Sequence, residues 1–330
     1  MPVTLRRGAV TAIAERHDGL VRLEVDGRPC VAYPELTGPV ALGDEVLVNV
    51  QALELGLGTG GFDVLYANLT RGLDLPPEEG AHVMKLPYTP LQHAVVHAEE
   101  RAPEDAAGDV SGTPVVCCSL HSQVAPACAG LGRELAVAYV QLPGGSLPVP
   151  LSDAVRTLLH EGYVRTTVAV GPCLGGEVAC VSPASALLEC ARAGMDAVVC
   201  AIGPGVVGTG SRFGHGGLAA ADAANAASAL GGSPVLAARV SDADARDRHR
   251  GLSHHTLAVL ELIREPVTIA WPDGLGLPEG LREVEVVDAS DWREACSGLP
   301  LSHMGRGPDD DPWFFAASFA AGALARTLVR

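Results

Sequence analysis

Ala197-Val-Val-Cys-Ala-Ile202 runs directly into Gly203-Pro-Gly-Val-Val-Gly-Thr-Gly-Ser-Arg-Phe-Gly-His-Gly-Gly217. Pro234-Val-Leu-Ala-Ala-Arg-Val240 runs in the same way into Ser241-Asp-Ala-Asp-Ala-Arg-Asp-Arg-His-Arg-Gly-Leu-Ser-His-His255. Each loop then enters a helical pattern. An apolar run of strand length, a polar loop and a helix make up half of a βαβ unit. Connections in compact domains usually take about 4–6 residues, and much longer ones tend to be functional. In a parallel sheet both loops would lie at the carboxyl ends of strands, where such folds bind ligands.

The same pattern repeats on either side of these stretches. Strands are expected at 114–119, 135–139, 165–170, 197–202, 234–240, 267–271 and 283–287, alternating with Ala-rich helices. The helix at 218–230 should stop at Gly231-Gly232, and Ser152 should cap the helix that follows it. The reading is α/β: a doubly wound, mostly parallel sheet over residues 113–330. Residues 1–70 carry shorter runs such as Leu20-Val-Arg-Leu-Glu-Val25, with Asp26-Gly27 as a hairpin turn. They predict a small N-terminal β-barrel of the SH3 or OB type. The Gly-rich stretch 55–61 reads as loop. Residues 71–112 connect the two parts, with 101–109 read as solvated loop.

Composition narrows the function. The chain has 330 residues, 48% of them hydrophobic, and a formal net charge of −16. That balance argues against nucleic acid or an anionic membrane as partner, because both need a basic footprint. The nine cysteines show no CxxC pair and no zinc-like spacing. Buried, reduced thiols in a cytoplasmic protein are expected. No apolar run reaches the roughly 20 residues of a membrane span, and residues 1–7 do not read as a signal peptide. The apolar helix expected at 313–328 either packs on the core or makes a homodimer contact.

The first loop contains a formal Gly-x-Gly-x-x-Gly at Gly203, Gly205 and Gly208. A dinucleotide fingerprint needs the helix to begin there and an acid about 20 residues on. Here further glycines postpone the helix, and Asp222 falls inside it. A P-loop fails because no Gly-Lys-Ser/Thr exists. What remains is an anion cradle at Gly205, Gly208, Thr209, Gly210 and Ser211, with Arg212 adding charge. Alternatively, the glycines only permit a tight backbone path.

The second loop offers Arg246 and Arg248 for bidentate contacts to phosphate or carboxylate. Asp242 and Asp244 could bind a divalent metal, hold the arginines or act as a base. His249, His254 and His255 are acid/base candidates, and Ser253 is a substrate contact or a helix cap. Adjacent His254 and His255 are expected to point apart, and the spacing matches no His-Glu-x-x-His motif, which leaves any metal undefined. His121, after the first strand of the sheet, completes the catalytic candidates.

At Leu120-His-Ser-Gln123, Gly203-Pro-Gly-Val-Val-Gly-Thr-Gly210, Arg248-His-Arg-Gly-Leu-Ser-His-His-Thr256, Met84–Gln92 and Asp311-Pro-Trp-Phe-Phe315, the chain resembles an uncharacterised bacterial family known as domain of unknown function 3866. The resemblance covers almost the whole chain and implies membership without an activity. It also implies an Asp near Gln141 and a His near Gly171, and this sequence has neither. The expectation is a hydrolase or group transferase for a small anionic, phosphorylated or nucleotide-like substrate. The alternatives are a binding or regulatory protein using the same pocket, and an assembly protein.

Overall fold

Alternating apolar residues give the first part of the chain its strands: β1 (Leu5–His17), β2 (Leu20–Val25), β3 (Arg28–Ala32), β4 (Glu45–Asn49) and β5 (Asp63–Asn68). They close into a barrel in the order β1-β2-β3-β5-β4, with long β1 pairing both β2 and β4 and with β3 parallel to β5. A long first strand shared by both halves favours the OB over the SH3 type. Inward positions such as Val10, Leu23, Val46, Val48 and Leu65 fill it. Asp26 and Gly27 make the β2–β3 turn with positive φ, as a tight hairpin requires.

The structure, a computed structural model, describes residues 3–57, 60–72, 74–101 and 109–330. Two of the loops read from sequence therefore lie partly outside it, at 58–59 and at 102–108. The chain divides into two compact units, Met1–Val96 and His97–Arg330. Within the expected connecting segment 71–112, residues 83–95 form a hairpin of β6 (Val83–Lys85) and β7 (His93–Val95) that falls in the first unit.

In the second unit the strands are β8 (Pro114–Cys118), β9 (Val137–Leu142), β10 (Thr166–Val170), β11 (Val178–Cys180), β12 (Ala197–Ile202) and β13 (Ser233–Ala237). A short pair, β14 (Val240–Ser241) and β15 (Gly251–Leu252), stands apart from the sheet, and β16 (Thr268–Pro272) and β17 (Val284–Val287) complete it. The sheet order is β11-β10-β9-β12-β8-β13-β16-β17, and every pair is parallel. Successive side chains point to opposite faces, so both faces must be apolar. Val116, Cys118, Tyr139 and Val199 meet the helices Val124–Leu131, Asp153–His160 and Pro312–Thr327. Val115, Cys117, Val140 and Cys200 meet Pro183–Arg192, Ala219–Ala229 and His254–Leu262. The sheet is doubly wound. The connection after β8 goes to one face and that after neighbouring β12 to the other, which opens a crevice at their carboxyl ends.

The helix Pro312–Thr327 belongs to the chain's own core. Phe314 to Gly322, Leu324 and Ala325 are buried. Gly322 and Gly130 let its backbone approach helix Val124–Leu131 so closely that a Cβ at Gly322 would land on the Ala127 carbonyl oxygen. The small residues read as a candidate homodimer face serve this internal contact. All nine cysteines are buried and free, and among the described residues no helix is long and apolar enough to cross a membrane.

Candidate functional site

The loop after β12 is held by close backbone packing. A Cβ at Gly203 would strike the Ser146 carbonyl oxygen, and one at Gly216 the Gly144 carbonyl oxygen. Its amides bond within the turn or to the neighbouring loop: Thr209 N–H donates to the Gly214 carbonyl at 2.7 Å, Gly216 N–H to Val207 at 2.7 Å and Val207 N–H to Gly144 at 2.9 Å. Ser211 N–H donates to Thr209 Oγ1 at 3.2 Å. Of the expected anion cradle of Gly205, Gly208, Thr209, Gly210 and Ser211, the amides of Thr209 and Ser211 are therefore spent within the turn. Of the formal glycine motif, tight packing demands Gly203 and Gly208, and a positive φ favours glycine at Gly205. Arg212 is also engaged elsewhere, in an ion pair with Glu261.

What this loop contributes is His215, at its far end. The ring is 6% exposed and stacks on His255 with centroids 3.7 Å apart and planes 11° apart. Sequence reasoning passed over it, although a histidine directly before a helix at a strand's carboxyl edge is the same signal that singled out His121.

The second loop is tied at its base by the β14–β15 pair, Val240 with Leu252 and Ser241 with Gly251. Ser253 caps the next helix, accepting from His255 N–H at 3.2 Å, and lies 2.7 Å from His249 Nδ1. Capping is its observed role. His254 and His255 open that helix. Contrary to the sequence expectation they do not diverge, because side chains in a first helical turn lean back toward the N-terminus. Their centroids are 4.5 Å apart, and His249 lies 4.6 Å from His254. One ligand atom from each of His215, His254 and His255 lies within 4.8 Å of the others.

Arginines surround the rings. Arg239 is buried and donates from Nη1 to His255 Nδ1 at 3.0 Å. Arg248, exposed, reaches over to the first loop, its Nη1 3.9 Å from where a Gly210 Cβ would stand. The buried carboxylate of the loop is Asp244, which accepts from Arg246 Nε at 2.9 Å and Nη2 at 2.8 Å. Arg239 and Arg306 approach the same group at 3.5 and 3.4 Å. Asp311, at the start of helix Pro312–Thr327, takes Arg306 at 3.0 Å and the Ser241 hydroxyl at 2.7 Å. Asp242, which the sequence offers as a catalytic base, is exposed. Arg306 carried no local signal and Asp311 stood out only within the stretch Asp311–Phe315, since both reach the pocket through the tertiary fold.

Burial and these cations hold the imidazoles neutral. Burial first and Arg239 second push His255 down to about 2. Burial, then Arg239 and Arg246, push His249 down to about 3. His254 is lowered by burial and then by Arg248. His215 is lowered by burial and then by His254, with the Arg212 backbone opposing. Arg239 is itself lowered to about 10, mainly by burial. No hydrogen bond of ordinary geometry reaches either ring nitrogen of His215 or Nε2 of His254.

His121 belongs to a second network in the β8–β12 crevice. Ser152 Oγ accepts from Val155 N–H at 2.9 Å and lies 2.6 Å from His121 Nε2, which accepts its proton if the ring's own proton sits on Nδ1. His121 Nδ1 in turn faces the Ile202 carbonyl at 3.2 Å. Ser152 was legible as a cap but not as a partner of His121.

An α/β unit whose carboxyl edge gathers histidines and arginines from two strand-end loops, in a chain that also carries a small β-barrel unit, defines the class. The chain belongs to the family described as protein of unknown function (DUF3866), which matches residues 29–322. No curated protein and no solved structure matches it.

Proposed function

We propose that the protein is a hydrolase or group transferase acting on a small anionic substrate at the edge formed by the loops after β12 and β13. The observation that carries this reading is the meeting of the two loops, His215 on His255 and Arg248 beside Gly210. Arg239, Arg246 and Arg306 share two buried carboxylates, Asp244 and Asp311, and Arg248 adds its charge beside His254, so these groups carry an excess of positive charge within an acidic protein. An anion would offset it. In this reading Arg248 and Arg246 bind the anion and neutral His249 moves the proton. The nine free thiols fit a reducing, cytoplasmic setting.

Binding without turnover is the second reading. Asp244 favours it, because three arginines hold that carboxylate and leave it no freedom to act as a base. Arg248→Gln should weaken pyrophosphate or nucleotide binding at least about 10-fold under either reading. His249→Ala should remove turnover of a phosphoester panel and spare affinity only under the first. Unchanged affinity in Arg248→Gln contradicts both.

A further inference from the structure

We propose that His215, His254 and His255 hold one divalent transition-metal ion of the zinc class, and that the ion takes the anionic ligand as its fourth partner. The inference rests on the anion reading only for that fourth partner. The three histidines stand on their own geometry.

Buried polar atoms in native proteins almost always have hydrogen-bond partners, and leaving one unmet costs about 1–3 kcal/mol. Both ring nitrogens of His215 and Nε2 of His254 are buried without one, in the same few ångströms. Something polar belongs between these rings. Three neutral imidazoles with one position left open match the ligand set of a catalytic zinc site. At the usual bond lengths of about 2.0–2.1 Å, a tetrahedral ion sets its nitrogens about 3.3 Å apart. The observed separations, all within 4.8 Å, lie within about 1.5 Å of that value, and His215 and His255, stacked with planes 11° apart, must also splay for both lone pairs to meet one ion.

Two neighbours shape the site. Arg239 donates to His255 Nδ1, which places the ring proton on Nε2. For Nε2 to take an ion, that proton moves to Nδ1 and Arg239 lets go, with Asp244 3.5 Å from its Nη2 as the remaining acceptor. The arginines also make a bare cation less welcome. Three uncharged ligands do nothing to offset a double positive charge, so an anion bound to ion and Arg248 together is the arrangement that balances the pocket. Metal and anion should therefore strengthen each other's binding by the same factor.

The test is titration of the metal-free full chain with Co(II), read by visible absorption and by native mass spectrometry, with and without inorganic phosphate. One ion per chain, an absorption band of tetrahedral nitrogen ligation, and at least 10-fold weaker binding in both His254→Ala and His215→Asn support the site. His160→Ala, on an exposed helix end, serves as the control and should titrate like wild type. His254 is only partly buried, so that variant should stay folded, as circular dichroism will report. Absence of stoichiometric uptake, or wild-type uptake by folded His254→Ala, overturns the site and leaves water filling the gap. Phosphate binding without Co(II) uptake also overturns it while leaving the anion reading intact. Co(II) uptake that ignores both phosphate and Arg248→Gln supports the three-histidine site and overturns the anion as its fourth partner.

Discussion

Asp242 and Asp244 stand two positions apart in one loop, and their fates differ completely. Asp244 is buried under three guanidiniums, which hold its carboxyl far below the usual range, with Arg246 the largest cause. Asp242 is exposed. Asp244→Ala leaves buried cations unpaired and should cost about 3–5 kcal/mol. Asp242→Ala should change stability by less than about 0.5 kcal/mol. Urea midpoints of the two variants check this. At His121 burial lowers the pKa from 6.5 to about 4. The unfolded chain therefore takes up that proton first. The His121 contribution is intact above about pH 6.5 and declines as the pH falls toward 4. His121→Gln should show a smaller drop in urea midpoint between pH 7.5 and 4.5 than wild type, and an equal drop contradicts the assignment. From sequence alone, residue types and the loop that holds them were legible. Which acid is buried was not, because Arg239 and Arg306 reach Asp244 only after β13 and helix Pro312–Thr327 are in place.

At the level of elements, strand-length apolar runs located β8 and β12 to within a residue, and Gly231 ended its helix as expected. β13 is the instructive difference. It stops at Ala237, and the continuation at Val240 leaves the sheet to pair with Leu252, a local hairpin that an unbroken apolar run cannot reveal. Glycines were ambiguous for the same reason. Gly203, Gly216 and Gly322 are each set against another chain segment's backbone, and the segment is unknown until the fold is known. Gly322→Val should force helix Pro312–Thr327 off helix Val124–Leu131 and cost about 3 kcal/mol or more. Thermal unfolding measures it. Were the small residues an intersubunit face instead, the variant would keep its melting temperature and change only the oligomeric state.

For the whole molecule, the sequence separated a barrel from an α/β unit, yet net charge hides the pocket. A chain with formal charge −16 gathers Arg239, Arg246, Arg248 and Arg306 in one place. It does so because β12 and β13 deliver their loops to the same carboxyl edge, on either side of β8. The central claim is that these two loops form one anion site. Hydrogen exchange with and without pyrophosphate tests it most directly. The account predicts that 203–217 and 239–255 gain protection together, and that Arg248→Gln removes both gains. Protection confined to one loop, or to neither, would contradict it.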